Sequence, residues 1–186
     1  ESLAQDGMQA LASSLTARSG SAGQISTMII PVDACWSPAE GAADMPVVPE
    51  RTKVDEALVR KVAESLDPGS LILLDSDGLS IPARIAANRI AAKTGCRISI
   101  GCFPSRVDGG AGLPDCERLP YFPEHVLGFL KGVKTLVLAG AQTPASFFAY
   151  PDTPGVLVPE GCEVSRLSGN HENTTYALQA VAEYLD

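Results

Sequence analysis

The sequence contains no apolar run near the roughly 20 residues that a membrane-spanning helix needs. Its five cysteines include no Cys-x-x-Cys pair, and His125 and His171 are its only histidines. Zinc and redox sites are usually built from such closely spaced ligands, so the pattern predicts no metal site. Reduced thiols, several of them buried, are expected instead, as in a cytoplasmic protein.

Basic residues are also scarce, with 14 lysines and arginines against 22 acidic residues and a net charge of −8. No cluster of Lys or Arg offsets this charge anywhere along the chain. An acidic surface repels the phosphates of nucleic acids and of anionic lipids. We therefore expect neither nucleic acid nor a membrane surface as a partner.

The chain has neither an initiator methionine nor a signal peptide at its start. Residues 1–6 read Glu-Ser-Leu-Ala-Gln-Asp, which lacks the basic start and apolar block of a secretory signal. The expectation is that the sequence begins inside something longer.

A dinucleotide-binding fingerprint is missing where one would be sought. In "KTLVLAGAQTPASFFAYP", residues 134–151, an apolar strand runs into Gly140 as it would at a nucleotide site. The fingerprint Gly-x-Gly-x-x-Gly, which lets the backbone approach a pyrophosphate, does not follow. The pattern favours a nucleotide-binding fold that has lost its site.

The sequence also lacks patterns that are typical of catalytic sites. Neither Ser80 nor Ser146 lies in a Gly-x-Ser-x-Gly elbow. Asp75 and Asp77 could share a face at a strand end, but such a pair more often forms a solvated turn with a helix cap. The segment "VDGGAG", residues 107–112, is interpreted as a flexible loop. No catalytic residue and no metal ligand is predicted.

From residue 54 onward, apolar strands alternate with amphipathic helices. The helices are predicted at 55–66, 77–95, 123–132 and 173–185, and the strands at 70–75, 97–101, 135–140, 155–159 and 162–167, with a long loop at 103–120. This alternation is typical of a parallel sheet covered by helices. The predicted fold is α/β: a Rossmann-like, doubly wound, mainly parallel sheet with helices on both faces, over residues 54–186.

The first part of the chain has a different organisation. Apolar spacing predicts a helix over 3–17, ended by Gly20 and Gly23, and a β-branched run predicts a strand over 24–33. Residues 34–53 contain three prolines among small residues and are interpreted as a linker. A strand without a sheet of its own must pack elsewhere, be mobile or pair between chains.

In such sheets, ligands bind beyond the carboxyl ends of the strands. The candidate cofactor-binding residues are therefore Gly78, Gly101 and Gly140, which follow three strands, together with Phe147. Phe147 begins the stiff aromatic segment "FFAYPDTPG", residues 147–155, which could stack on an adenine or pack on a neighbouring domain or the sheet edge. Interdomain or edge packing is favoured.

Three long phrases carry a resemblance to a known family. They are "ISTMIIPVDACWS", "CFPSRVDGGAGLPDCERLPYFPE" and "LVLAGAQTPASFFAYPDTPGVLVPEGCEV". In this order they resemble thiamine diphosphate-dependent enzymes of the acetolactate synthase large-subunit type or its benzoylformate decarboxylase-like branch. The resemblance extends over nearly the whole chain.

The resemblance implies a place in a three-domain subunit. Residues 1–33 would be the last helix and strand of a pyrimidine-binding domain, residues 34–53 a linker, and residues 54–186 the central Rossmann-like domain. The family's activating Glu and its Gly-Asp-Gly…Asn motif for Mg²⁺ and diphosphate belong to the other two domains. Neither "SDG" at 76–78 nor "VDGGAG" matches that motif, so the resemblance transfers no catalytic residue to this chain.

Three hypotheses follow. The favoured one is a structural, non-catalytic central domain of an enzyme, a transferase or lyase, that acts on 2-oxo acids by carboligation or decarboxylation. Its parent would use thiamine diphosphate and Mg²⁺ and form a homodimer or homotetramer. The second is a nucleotide-binding module for FAD or ADP, with FAD less expected because Asp75-Ser76-Asp77-Gly78 replaces a glycine-rich turn. The third, an independent small enzyme, is disfavoured by the unpaired helix and strand.

Overall fold

The computed structural model describes residues 3–16, 24–39 and 41–186. The chain divides into two compact units, Glu1–Arg51 and Thr52–Asp186. The domain boundaries predicted at residues 33 and 53 remain predictions.

The first unit contains helix α1 (Leu3–Leu15) and a short 3₁₀ helix, Ala34–Trp36. The helix predicted over 3–17 is therefore present but ends at Leu15. Residue 17 and the two glycines that were expected to end the helix lie outside the described residues.

The prediction of a strand over residues 24–33 was wrong. Residues 24–31 have no regular secondary structure, and residues 32–33 form a turn that leads into the 3₁₀ helix. Ile25 is 96% exposed and Ile29 is 90% exposed. A β-branched run predicts a strand because such side chains suit a half-buried pleated surface. Here the side chains are exposed, and the segment does not form part of such a surface.

The second unit contains the remaining helices and all the strands of the described residues. They are α2 (Glu56–Ser65), β1 (Ser70–Leu74), a 3₁₀ helix (Ser76–Leu79), α3 (Ile81–Thr94), β2 (Arg97–Ile100), β3 (Glu117–Arg118), α4 (Pro123–Phe129), β4 (Thr135–Ala139), β5 (Glu163–Ser168) and α5 (Thr174–Leu185).

The five strands of this unit form one sheet in the order β3-β2-β1-β4-β5. Every pairing is parallel; for example, Ile72 lies opposite Ile98 of β2 on one side and Val137 of β4 on the other. This is the strand order of a doubly wound Rossmann-like sheet, whose direction of winding reverses between β1 and β4. The predicted fold class is confirmed.

The helix boundaries follow from local chemistry. Asp55 caps α2, its carboxylate accepting the Ala57 N–H at 2.6 Å, and Asn173 caps α5 by accepting the Tyr176 N–H at 2.8 Å. Gly95 ends α3 in the left-handed conformation, with φ of +75°. Among the described residues, no helix is both long and apolar enough to cross a membrane.

Two predictions about the second unit need correction. Residues 155–159 do not form a strand; Val156 makes only an isolated antiparallel bridge with Ala145. The predicted loop at 103–120 instead contains β3, a two-residue strand at the edge of the sheet. Both segments are short, and apolar pattern alone does not decide whether such a segment finds a partner.

The two faces of the sheet are covered unequally. On one face, alternate strand residues such as Ile72 and Val137 pack against α2, α3 and α5. On the other face, Leu71 and Leu136 pack against α4 and against Leu157 from the loop that follows β4. The face with a single helix is the one that leaves a cavity at the carboxyl edge of the sheet.

Candidate functional site

A cavity of about 320 Å³ lies where β1, β2, β3 and β4 end. Such a volume falls at the small end of the range for ligand sites. The lining residues are Leu73, Asp75, Gly101, Cys102, Phe103, Leu119, Pro120, Val126, Ala141, Gln142, Thr143, Pro144, Ala145, Phe147 and Leu157. The cavity thus lies beside the reversal point between β1 and β4, where doubly wound sheets bind their ligands.

Asp75 is the one charged residue among those that line the cavity. Its Oδ1 accepts the N–H of Ser76 at 2.7 Å, which fixes the carboxylate at the end of β1. Its Oδ2 lies beside Gly101, where a β-carbon would come within 3.1 Å of that oxygen. Glycine at position 101 therefore leaves room for the carboxylate at the cavity wall.

The pKa of Asp75 is raised above its ordinary value of 3.8. Burial is the main cause, because it disfavours the charged form. The hydrogen bond from the Ser76 N–H acts in the opposite direction and is the weaker influence. A carboxylate in such a setting gains more than an exposed one from a partner that carries a positive charge or an N–H or O–H donor.

The four candidate cofactor-binding residues predicted from the sequence lie partly at the cavity and partly away from it. Gly101 and Phe147 line the cavity, and Gly140 directly precedes the lining residue Ala141. Gly78 lies in the 3₁₀ helix after β1 and is buried, away from the lining. That any of the four binds a cofactor remains a prediction.

Gly78 and Gly140 are required by close packing against the start of α5. A β-carbon on Gly140, whose φ is +68°, would lie 2.6 Å from the Asp75 carbonyl oxygen and 2.9 Å from Thr174 Oγ1. One on Gly78 would lie 3.1 Å from Thr174 Cγ2. The glycines thus allow the turn after β1, the end of β4 and α5 to pack together.

The aromatic segment predicted to be functional joins a larger ring cluster at the mouth of the cavity. Phe147 lies 5.2 Å from Phe103 and 6.3 Å from Tyr121, measured between ring centroids. Phe148 stacks on Tyr150 at 5.3 Å and meets Tyr121 edge to face at the same distance. Phe103 and Phe147 are 64% and 58% exposed. The rings come from three separate loops and form one partly exposed apolar surface.

Arg84 of α3 holds the long loop that follows β2. The residue is buried, and its two terminal nitrogens donate hydrogen bonds to the carbonyl oxygens of Asp108 and Pro114. These bonds attach the segment predicted to be a flexible loop to the helix layer.

The described residues do not fit a site for Mg²⁺ and a diphosphate. Among them, no group of three or more His, Cys, Asp or Glu side chains could hold a metal ion. Asp75 Oδ1 accepts the Ser76 N–H, and Asp77 Oδ2 accepts the Thr175 N–H at 3.3 Å, so one oxygen of each carboxylate is already held in a local hydrogen bond. No lining residue is Lys or Arg, the side chains that usually neutralise a phosphate.

Sequence reasoning missed much of the cavity wall. Leu119 directly follows β3, Val126 belongs to α4, and Leu157 lies in a segment that was predicted to be a strand. Asp75 had been considered as one of a pair with Asp77 at a strand end, and a solvated turn with a helix cap was favoured. The available signal was its position directly after the apolar residues 71–74, where a buried carboxylate is costly unless it is paired or hydrogen-bonded.

Comparison with known proteins gives one close curated relative. The chain is 45% identical, over 169 residues and 90% of its length, to a Mycobacterium tuberculosis (strain ATCC 25618 / H37Rv) protein provisionally named acetolactate synthase large subunit IlvX. It spans 32% of that relative's length. No family model matches the chain.

A solved structure also matches the chain. It is an X-ray structure of a protein from Mycobacterium smegmatis that is provisionally described as a thiamin diphosphate-dependent enzyme. The match has a TM-score of 0.65 and 22% sequence identity, and it covers 99% of this chain and 37% of the other. At this level of identity, the match supports the fold.

The fold and strand order define residues 52–186 as a Rossmann-like α/β domain of the doubly wound type. The chain is similar over most of its length to a protein provisionally named an acetolactate synthase large subunit, which confirms the resemblance seen in the sequence. It corresponds to about a third of such a protein.

Proposed function

We propose that the chain is the central, non-catalytic domain region of a thiamine diphosphate-dependent enzyme that acts on 2-oxo acids. Its parent would be a transferase or lyase of the acetolactate synthase kind, active in the cytoplasm as a homodimer or homotetramer. The observation that carries the proposal is the 45% identity to a protein of which the chain spans only 32%. Residues 1–33 and 34–53 would then be the end of the preceding domain and a linker.

The chemistry of the described residues supports a structural role. They offer no fit for Mg²⁺ and diphosphate, so thiamine diphosphate would be held by other parts of the parent. Large apolar side chains of the first unit are exposed, which is typical of surfaces that pack against another part of a protein. Those more than 70% exposed are Ile25, Ile29, Val32, Trp36, Met45 and Val47.

Two experiments test the proposal. In the first, the 186-residue chain is incubated with pyruvate, thiamine diphosphate and Mg²⁺, and consumption of the 2-oxo acid is followed. We expect no turnover, and turnover by the chain alone would contradict a non-catalytic role.

The second experiment tests the structural role directly. The chain replaces the corresponding 169-residue region of the M. tuberculosis relative, and thiamine diphosphate binding and oligomeric state of the chimera are compared with those of the unaltered relative. We expect both properties to be retained, with the reversed-order sequence of the same region as a control that loses them. Loss in a chimera that folds would overturn the assignment.

A nucleotide-binding role for FAD or ADP is the alternative. The cavity's position at the reversal point of the sheet is the observation that favours it. The acidic turn after β1 and the absence of Lys and Arg from the lining oppose it. Calorimetric titration with FAD and with ADP distinguishes the two roles, and we expect no heat from either.

A further inference from the structure

We propose that the cavity at the carboxyl edge of the sheet binds a small apolar amine, with the ammonium group paired to Asp75 and the apolar body between the rings at the mouth. This goes beyond the structural role proposed above and does not depend on it.

The wall of the cavity is apolar apart from a few groups. Leucine, valine, proline, alanine and phenylalanine side chains form most of it, and Asp75 contributes its one charge. Burial of apolar ligand surface supplies affinity in such a site, and a few polar groups decide which ligand fits. The ligand should therefore have a compact hydrocarbon body.

The polar anchor selects a positively charged head group. Asp75 Oδ1 is occupied by the Ser76 N–H, while Oδ2 faces Gly101, which lines the cavity. A partly buried carboxylate favours a cation or a hydrogen-bond donor and repels a carboxylate or phosphate. Arg166 is not among the lining residues; its guanidinium donates to the Ala141 carbonyl oxygen at 3.1 Å.

The aromatic rings at the mouth suit the same ligand class. Phe103 and Phe147 approach each other at 5.2 Å with their planes tilted by 55°, and both line the cavity. Phenyl faces pack against an apolar or aromatic body. Carboxylate and rings thus recognise the two ends of one small amine.

The test uses three probes with one phenyl body and different head groups: benzylamine, benzyl alcohol and benzoate. Binding to the 186-residue chain is measured at pH 7.5 by ¹H–¹⁵N chemical-shift titration. We expect benzylamine to bind about tenfold or more tightly than benzoate, with benzyl alcohol between them. Equal binding of benzylamine and benzoate would overturn the proposal, as would tighter binding of ADP than of benzylamine.

Two variants locate the site. Asp75→Asn keeps a side-chain oxygen for the Ser76 N–H but removes the charge, and it should weaken benzylamine about tenfold while leaving benzyl alcohol within about twofold. Cys102→Leu adds bulk to the wall and should weaken benzylamine and benzyl alcohol alike. Glu56→Gln removes one charge from an exposed position outside the lining and should change neither.

Each result decides the matter. Unchanged benzylamine binding by either Asp75→Asn or Cys102→Leu would place the ligand elsewhere and refute the site. If a variant fails to fold, as judged by its far-ultraviolet circular dichroism, the ranking of the three probes on the wild-type chain remains the test.

Discussion

The two sides of the sheet's carboxyl edge differ although the same strands form both. Towards α5, the turn after β1 and the end of β4 pack so closely that Gly140 has no room for a side chain and Gly78 has little. Towards α4, the same strand ends leave a cavity of about 320 Å³. A single helix covers that second face, so loops must close it, and they do so incompletely. Glycines at strand ends therefore mark close packing on one side of this edge and a cavity on the other.

The largest expected effect is that of Gly140→Ala on the packed side. The new β-carbon would approach the Asp75 carbonyl oxygen to 2.6 Å in a backbone conformation that favours glycine, so we expect a loss of about 2–4 kcal/mol in the free energy of unfolding. Urea denaturation measures it. Gly132→Ala, with φ of +83° and no atom within 4 Å, is the matched control and should lose about 1–2 kcal/mol. Equal losses would show that packing around Gly140 is not tight.

A second variant on the side that packs against α5 is Thr174→Val, which removes a hydroxyl and keeps the shape of the side chain. Ser168 Oγ donates to Thr174 Oγ1 at 2.9 Å, and both side chains are buried. Without its acceptor, we expect a loss of about 1–2 kcal/mol in the free energy of unfolding, measured by the same denaturation. Thr135→Val, at a half-buried position of strand β4, should cost less, and the reverse order would show that the Thr174 hydroxyl does not stabilise this side.

On the cavity side, Phe147→Ala should cost little stability. The ring is 58% exposed and packs on other rings of the mouth, so we expect a loss of about 1 kcal/mol or less. Benzylamine should nevertheless bind several-fold more weakly. Leu138→Ala, in the core beneath, is the contrasting variant and should cost about 2–5 kcal/mol. If Phe147→Ala lowers the free energy of unfolding as much as Leu138→Ala does, the rings at the mouth of the cavity belong to the core.

The smallest effect concerns the pH dependence that Asp75 contributes. Its pKa is raised in the folded chain, so the folded state holds this proton more tightly than the unfolded state does. That contribution is fully present below the unfolded pKa and is lost as the pH rises through the raised folded value. The stability of wild type relative to Asp75→Asn should therefore fall as the pH rises above 3.8, measured by urea denaturation. A difference that stays constant or grows would be inconsistent with the burial of this carboxylate.

The sequence predicted the sheet well because parallel strands buried on both faces form continuous apolar runs, as in residues 71–74 and 136–139. It failed for residues 24–33 and 155–159, where a β-branched pattern lacks a partner strand. It also missed β3, whose two residues, Glu117 and Arg118, carry no apolar signal.

The candidate site was predicted only in outline. The rule that ligands bind at strand ends selected Gly101, which lines the cavity, and Gly78, which packs on α5, while the aromatic segment added Phe147, which also lines the cavity. That these residues bind a cofactor remains a prediction. A sequence does not show on which side of the sheet a strand-end glycine faces. The roles of Leu119, Val126 and Leu157 depend on long-range packing that no local pattern encodes.

The most direct test of this two-sided edge follows the backbone amides of Gly78, Gly101, Gly140 and Phe147 by ¹H–¹⁵N spectroscopy while benzylamine, and separately ADP, is added. We expect benzylamine to shift the amide signals of Gly101 and Phe147 and to leave that of Gly78 unchanged. We expect ADP to shift none of the four signals. Shifts of Gly78 and Gly140 on addition of ADP would contradict this expectation, because they would place a nucleotide on the side described here as closed by packing.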